Sequence, residues 1–279
     1  MYTMNARDWI ESHKNKLPAH ELEWILEACL KLTRAEIYLD TQLVSEQGLG
    51  RAEHIVHQRI AGKSLQHLLG KTIFYGREFQ VNDSTLIPRP ETETLCEIAL
   101  QRINNEPSDE IKVAELGLGT GCMAITILRE DPRTSVYATE ILPTAIDLAK
   151  VNALAHGVEN RLQIFQVPQA IGFEGLLPLG PFHLIVSNPP YLDKNDPITA
   201  EVLKNEPHSA LFPVSDDPMW FYENFLEYAS RLLLPGGRGL LEVPHNRADA
   251  ILARARKHDF YAAVYNDLFG RPRVLEVLV

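Results

Sequence analysis

Three cysteines in 279 residues, Cys29, Cys96 and Cys122, are too scattered, and odd in number, to make a disulfide framework. They read as reduced thiols filling buried space in a cytosolic protein, and none has the setting of a nucleophile. Basic charge is also scarce: 27 Lys and Arg against 37 Asp and Glu give a net charge of −10, with no basic strip of any length. That argues against nonspecific nucleic-acid binding, which needs clustered cations to release phosphate counterions. No apolar run reaches membrane-spanning length, and Met1 to Trp9 lacks a basic-then-apolar signal pattern. A soluble, cytoplasmic protein with no membrane partner is expected. Ligand spacing is missing among the ten histidines: His54 and His57 lie one helical turn apart, but no Cys, Asp or third His joins them, so no metal is expected. Repeats and low-complexity tracts are absent, and Glu106-Pro107-Ser108-Asp109 is the one obvious short linker.

What is present is hydrophobic content of 45%, enough for two unequal cores. Leu22, Ile25, Leu26, Cys29 and Leu30, then Ala52, Ile55, Val56 and Ile60, recur at helical spacing and predict a helical bundle over residues 1–73. Over residues 74–90 the pattern turns extended, with a hairpin expected around Asn82-Asp83 as a hinge. From about Leu95 the chain is helical again. It then alternates strand and helix over Ile111–Leu116, Ser135–Glu140, Thr144–His156, Leu162–Phe165 and His183–Ser187. A helix from Trp220 is expected to stop at Pro235-Gly236-Gly237, before strands near Arg238–Val243, Tyr261 and Val274. Such alternation over residues 91–279 predicts an α/β domain with a parallel, doubly wound sheet.

Two strand ends carry chemistry. Ile111 to Leu116 runs into Gly117-Leu118-Gly119-Thr120-Gly121 and then an apolar helix from Cys122. Such a turn lets backbone approach a ligand closely, but the third glycine follows the second by two residues, so the dinucleotide fingerprint fails and a ligand without phosphates fits better. Glu140, nineteen residues beyond Gly121, stands where an acid reaches ribose hydroxyls, and Glu115 is placed to meet an ammonium group. Taken singly, the glycines are also what an ordinary βα turn needs. After Phe182 to Ser187 comes Asn188-Pro189-Pro190-Tyr191. Proline fixes its own φ, lacks a donor and holds the preceding residue extended. The Asn188 side-chain oxygen and the Pro189 carbonyl are therefore candidate acceptors for the two hydrogens of a planar NH2, with Pro190 stiffening the turn and Tyr191 packing on the π face. Alone, this tetrad is also a plausible strand-ending turn. Together the three features describe S-adenosyl-L-methionine beside a nitrogen acceptor.

On these residues the chain resembles the bacterial release-factor glutamine N5-methyltransferases, the HemK family. The likeness extends to Leu65-Gln66-His67-Leu68-Leu69-Gly70, Phe74-Tyr75-Gly76-Arg77-Glu78-Phe79, Leu86-Ile87-Pro88-Arg89-Pro90-Glu91-Thr92-Glu93, Glu206-Pro207 and Asp267 to Arg273. The resemblance implies a Rossmann-like, seven-stranded class I methyltransferase domain whose last two strands pair antiparallel. It also implies an N-terminal helical domain that grips the protein substrate, and class 1 peptide chain release factors as partners of a monomeric enzyme. The implied cofactor residues are Glu115, Gly117, Leu118, Gly119, Thr120, Gly121, Glu140 and Asn188; Asn188, Pro189, Pro190 and Tyr191 are the implied catalytic group. Where the family commonly has an adenine-binding acid, this chain has Val167-Pro168-Gln169-Ala170, and Gln169 is the expected substitute. It also departs at Asp217-Pro218 and at Pro244 to Arg247. Two rival readings stand beside the first: methylation of a small nitrogen compound or another protein glutamine, and a cofactor-binding protein without catalysis.

Overall fold

The computed structural model describes residues 5–39, 44–168, 172–258 and 260–279, and these fall into two compact units. The first comprises Met1–Lys71 with Thr199–Asn205. Its helices are α1 (Ala6–His13), α2 (Ala19–Leu30), α3 (Arg34–Leu39), α4 (Glu46–Ile60) and α5 (Leu65–Leu69). Local chemistry starts three of them: Asn5 Oδ1 accepts from Asp8 N–H at 2.7 Å, Ser45 Oγ from Gly48 N–H at 3.1 Å, and Thr33 and Glu36 cap each other reciprocally. Leu22, Ile25, Leu26, Cys29, Ala52 and Val56 meet Trp9, Ile10 and Ile37 in one core, whereas Ile60, expected on the same stripe, is exposed. A sequence boundary that assigns all of 91–279 to the second unit misses the helix at Ala200–Asn205. It belongs here because Arg59 bridges Glu21 at 2.9 Å and Glu201 at 2.7 Å, and Asn205 Nδ2 donates to the Gly62 carbonyl at 2.8 Å. Partners so far apart in sequence leave no trace in periodicity.

The second unit begins at Thr72, within the first strand of a hairpin, β1 (Lys71–Phe74) and β2 (Arg77–Gln80). Its turn is Tyr75-Gly76, with φ of +50° and +70°, not Asn82-Asp83. Positive φ at both central residues matches strand twist, and glycine adopts it without strain. Asn82 instead ends the extended run, its Oδ1 accepting from Ser84 N–H at 2.9 Å. Helix α6 (Pro90–Asn104) starts at a proline in its first turn, five residues before the expected start. Then follow β3 (Ile111–Leu116), α7 (Cys122–Glu130), β4 (Thr134–Glu140), α8 (Pro143–Ala155), β5 (Leu162–Gln166), α9 (Gly172–Leu176) and β6 (Phe182–Ser187). Beyond two short helices the chain continues through α12 (Trp220–Leu232), β7 (Leu233–Glu242), α13 (Ala248–Lys257), β8 (Tyr261–Asn266) and β9 (Pro272–Leu278), counting α10 (Ala200–Asn205) and α11 (His208–Leu211). The short linker 106–109 joins α6 to β3 and is held in place, Arg133 donating to the carbonyls of Glu106 at 2.9 Å and Ser108 at 3.1 Å.

The seven strands lie in the order β5-β4-β3-β6-β7-β9-β8, parallel except for β9. Alternate side chains serve opposite faces. Val113, Leu184, Val186 and Leu240 join α6, α7 and α8 in one core; Ala114, Ile185, Leu241 and Leu275 join α9, α12 and α13 in the other. Pro235-Gly236-Gly237 does not stop a helix before β7. Helix α12 ends at Leu232, Leu233 already pairs with Phe182, and Leu234 to Gly237 bulge opposite His183 before Arg238 pairs with Leu184. Among the described residues no helix is long and apolar enough to cross a membrane.

Candidate active site

Three strand ends meet at one level. Register sets Leu116 of β3 opposite Thr139 of β4 and Ser187 of β6, so Gly117, Glu140 and Asn188 emerge together at the carboxyl edge. Ser187 Oγ donates to the Leu116 carbonyl at 2.7 Å, and the Gly117 and Leu118 N–H groups both donate to the Thr139 carbonyl. Strand order reverses here, with β4 and β5 on one side of β3 and β6 and β7 on the other. Open α/β sheets bind ligands at such a switch point. A cavity opens there, lined by the glycine loop, Glu115, Glu140, Asn188 and Pro190, with Val167, Phe173, Trp220 and Phe221 as apolar wall.

The side of the cavity under β3 and β4 is built from backbone and carboxylates. Glu140 Oε1 accepts from Ile141 N–H at 2.7 Å and Leu142 N–H at 3.0 Å, and Oε2 accepts from Gly119 N–H at 2.9 Å. Three of about four acceptor positions are thus filled, and the remaining one suits a hydroxyl donor. Gly119 has φ of +55°, and open space where a Cβ would stand, so ligand atoms can approach the backbone. Asn152, 1% exposed, locks the loop from behind: Nδ2 donates to the Thr120 carbonyl at 2.9 Å and the Gln80 carbonyl at 3.0 Å, while Oδ1 accepts from Gln80 N–H at 2.8 Å. Glu115 is 1% exposed and its Oε2 has no hydrogen-bond partner among the described residues. Burial pushes its carboxyl well above the ordinary range, against the Ala124 N–H at the start of α7. A buried carboxylate with an unmet oxygen on a cavity wall calls for a cationic donor. Cys122 also lines the cavity, but burial pushes its thiol up to about 12, so it is protonated at neutral pH.

The side under β6 is built from side chains far apart in sequence. Asn188 Nδ2 donates to Thr92 Oγ1 at 3.1 Å, and Thr92 Oγ1 donates to Glu242 Oε2 at 2.7 Å. Glu242 Oε1 accepts from the Tyr191 hydroxyl at 3.2 Å and lies 3.9 Å from Arg273 Nη1. Burial raises the Glu242 carboxyl above its usual range, and the Thr92 hydroxyl, the Arg273 charge and the Tyr191 hydroxyl oppose that rise. Below this group, Arg247 donates to the Tyr191 carbonyl at 3.2 Å and grips Asp196 through Nη2 at 2.7 and 2.8 Å. That pair pins the segment after the tetrad.

Of the residues singled out from sequence, Glu115, Gly117, Leu118, Gly119, Thr120, Glu140, Asn188 and Pro190 line the cavity; Gly121, Pro189 and Tyr191 do not. Gly121 precedes α7 with φ of +79°, and a Cβ there would meet Ile125 at 3.1 Å. Pro189 is buried. Tyr191 turns its hydroxyl to Glu242, and burial, with the Glu242 charge, raises its pKa. Gln169 lies outside the described residues. Sequence reasoning passed over Thr92 and Glu242 as site residues. The signals were an acid next to last in a predicted strand and a threonine within a segment that resembles the family.

The family description "Methyltransferase small domain" matches residues 93–211, and "PrmC N-terminal domain" matches residues 4–70. The chain is 33% identical over 265 residues to the release factor glutamine methyltransferase of Flavobacterium psychrophilum, covering 91% of this chain and 89% of that protein. With the release factor glutamine methyltransferase of Geobacter sulfurreducens the identity is 35% over 247 residues, covering 86% and 82%. A bifunctional methyltransferase of Rickettsia typhi is 32% identical over 98% of this chain, which spans only 56% of that longer protein. The crystal structure of a release factor-specific protein-(glutamine-N5) methyltransferase from Alicyclobacillus acidocaldarius aligns with 69% of this chain and 93% of its own, at 27% identity and a TM-score of 0.45.

Proposed function

Since the chain belongs to the family of release factor glutamine methyltransferases, we propose that it methylates the side-chain amide nitrogen of the glutamine in the Gly-Gly-Gln motif of class 1 peptide chain release factors, using S-adenosyl-L-methionine in the cytoplasm. The observation that carries this reading is the pinned amide of Asn188: its nitrogen is held by Thr92, and its oxygen is left for a donor beside the glycine loop.

The cavity fits the cofactor on its own features. The unmet Glu115 oxygen suits the ammonium of the methionine part, the remaining Glu140 acceptor position suits a ribose hydroxyl, and the open backbone at Gly119 allows close approach. When bound, the cofactor supplies an electrophilic methyl on a sulfonium.

The protein's task is to make a poor nucleophile attack. An amide lone pair is delocalised into its carbonyl, so Asn188 Oδ1 acts by accepting one N–H and favouring the more positive nitrogen of the transition state. Rigid placement by the Asn-Pro-Pro segment aligns the nitrogen with the methyl, and proximity of this kind is worth roughly 7 to 11 kcal/mol. With the cofactor held there, an N–C bond would form as its S–C bond broke, and the methylated nitrogen would give one proton to water. A glutamate in place of the glutamine has no N–H to offer Asn188 and meets an oxygen lone pair, a mismatch that polar sites reject by about 10⁴.

The test is methyl transfer from labelled cofactor to purified class 1 release factor, beside a factor whose Gly-Gly-Gln glutamine is replaced and a panel of small amides and amines. Label on the intact factor alone is expected. Label only on a small compound would move the substrate elsewhere, and label nowhere would remove catalysis from the reading.

A further inference from the structure

An amide side chain can present either end to a ligand, and which end Asn188 presents decides what it can recognise. Neither Asn188 nor its neighbours in the tetrad settle this. The deciding chain of hydrogen bonds starts at Glu242, 2% exposed at the end of β7. With the Arg273 cation 3.9 Å away and the Tyr191 and Thr92 hydroxyls both pointing at it, the Glu242 carboxylate acts only as an acceptor. It takes the Thr92 hydroxyl proton at 2.7 Å, so Thr92 Oγ1 has only lone pairs left for its other neighbour. The group facing it at 3.1 Å must therefore be the Asn188 NH2, which leaves Oδ1 toward the cavity. Among the described residues no protein donor meets that oxygen.

We infer that Glu242, acting through Thr92, is the positioning residue that sets the polarity of Asn188, and so the preference of this site for an amide over a carboxylate. The inference rests on the amide substrate proposed above. Thr92 lies in α6 and Glu242 in β7, 150 residues apart, and their side chains meet at 2.7 Å. Their side chains make a relay between buried groups, Thr92 being 3% exposed. Tyr191 and Arg273 fix the relay's far end: both approach Glu242 Oε1, leaving Oε2 to Thr92.

That asymmetry makes Glu242→Gln informative. With the Tyr191 hydroxyl donating and the Arg273 charge on the Oε1 side, the substituted amide keeps its oxygen there and turns its NH2 to Thr92. Thr92 then accepts from it and donates onward, and Asn188 rotates to present NH2 to the cavity. An NH2 there repels a glutamine amide and welcomes a glutamate carboxylate.

The experiment measures two quantities in the full-length protein loaded with S-adenosylhomocysteine. The first is the ratio of affinities for a class 1 release factor and for its Gly-Gly-Glu variant, by calorimetry. The second is hydrogen-exchange protection of the Asn188 side-chain amide, by NMR, assigned by its loss in Asn188→Asp. In the native enzyme the ratio favours glutamine and one Asn188 NδH is protected. Glu242→Gln is expected to lower the ratio by about a hundredfold or more and to abolish the protection, with cofactor affinity unchanged. Thr92→Val, which removes the relay without changing its shape, is expected to lower both; Thr92→Ser is expected to keep both. Equal weakening of the two factors, or intact protection in Glu242→Gln and Thr92→Val, would overturn the inference and leave Glu242 a structural group. If the native enzyme bound neither factor but protection vanished as expected, the release-factor substrate would fall while the orientation of Asn188 stood.

Discussion

The two walls of the cavity are made in different ways. Under β3 and β4 the ligand-facing groups are backbone amides and carboxylates joined over short stretches: Glu140 reaches Gly119 across 21 residues and Ile141 across one. Under β6 the same cavity is bounded by Asn188, whose orientation depends on Thr92, 96 residues away, and through it on Glu242. The first wall holds a ligand by its ordinary donors, so its substitutions should be felt in cofactor binding. The second selects and aligns the nucleophile, so its substitutions should be felt in turnover.

The largest expected effect is on the second wall. Asn188→Ala should cut kcat by about a hundredfold to a thousandfold, the usual cost of removing one group that stabilises developing charge. Cofactor affinity by calorimetry should hardly move. Full turnover in this variant would end the distinction between the walls. Glu140→Ala tests the opposite wall: loss of a charge-assisted hydrogen bond costs roughly 1.5 to 3 kcal/mol, so cofactor Kd should weaken by about tenfold to a hundredfold. Its kcat at saturating cofactor should change far less. A large kcat loss with unchanged Kd would invert the comparison.

Glu115→Gln sharpens it further, because one substitution should move binding and stability in opposite directions. The folded carboxyl sits well above its ordinary range through burial. Its contribution to stability is therefore present below the unfolded pKa and lost as pH rises through the folded one. The variant lacks that loss, so its ligand-free Tm should exceed the parent's, and the gap should widen from pH 4 to pH 8, while cofactor binding weakens. A gap that narrows with rising pH would refute this assignment. The smallest effect expected is from Asn152→Ala, behind the glycine loop. Loss of its three hydrogen bonds should cost about 1 to 3 kcal/mol in urea unfolding, with only a modest fall in cofactor affinity.

The same contrast explains what could be read from sequence. The glycine loop, Glu140 and the strand before each were legible because turn chemistry, strand ends and the spacing of an acid are local features. So was the parallel sheet, since alternation of strand and helix is written along the chain. The Tyr75-Gly76 turn was missed because Asn82-Asp83 is the stronger turn dipeptide and a non-glycine residue at φ of +50° is unusual. The sequence presents Tyr191 as an aromatic plate, whereas its hydroxyl donates to Glu242 and its ring does not line the cavity. Thr92 and Glu242 were opaque for a different reason. Their relation exists only after α6 and β7 are brought together, and neither residue is unusual where it stands.

Strand β9 follows β8 in the chain yet lies between β7 and β8, so the last strand of the chain is an inner strand of the sheet. β9 is the only strand that β8 pairs with among the described residues, and it carries Arg273, the cation facing Glu242. A chain with β3 to β7 assembled and β9 still outside would hold its glycine loop and its Asn-Pro-Pro-Tyr turn, but its buried carboxylate would lack a countercharge. Such a species is a methyltransferase in outline with its acceptor side unset. The one antiparallel strand of the sheet thus supplies the charge that the acceptor side of the site depends on.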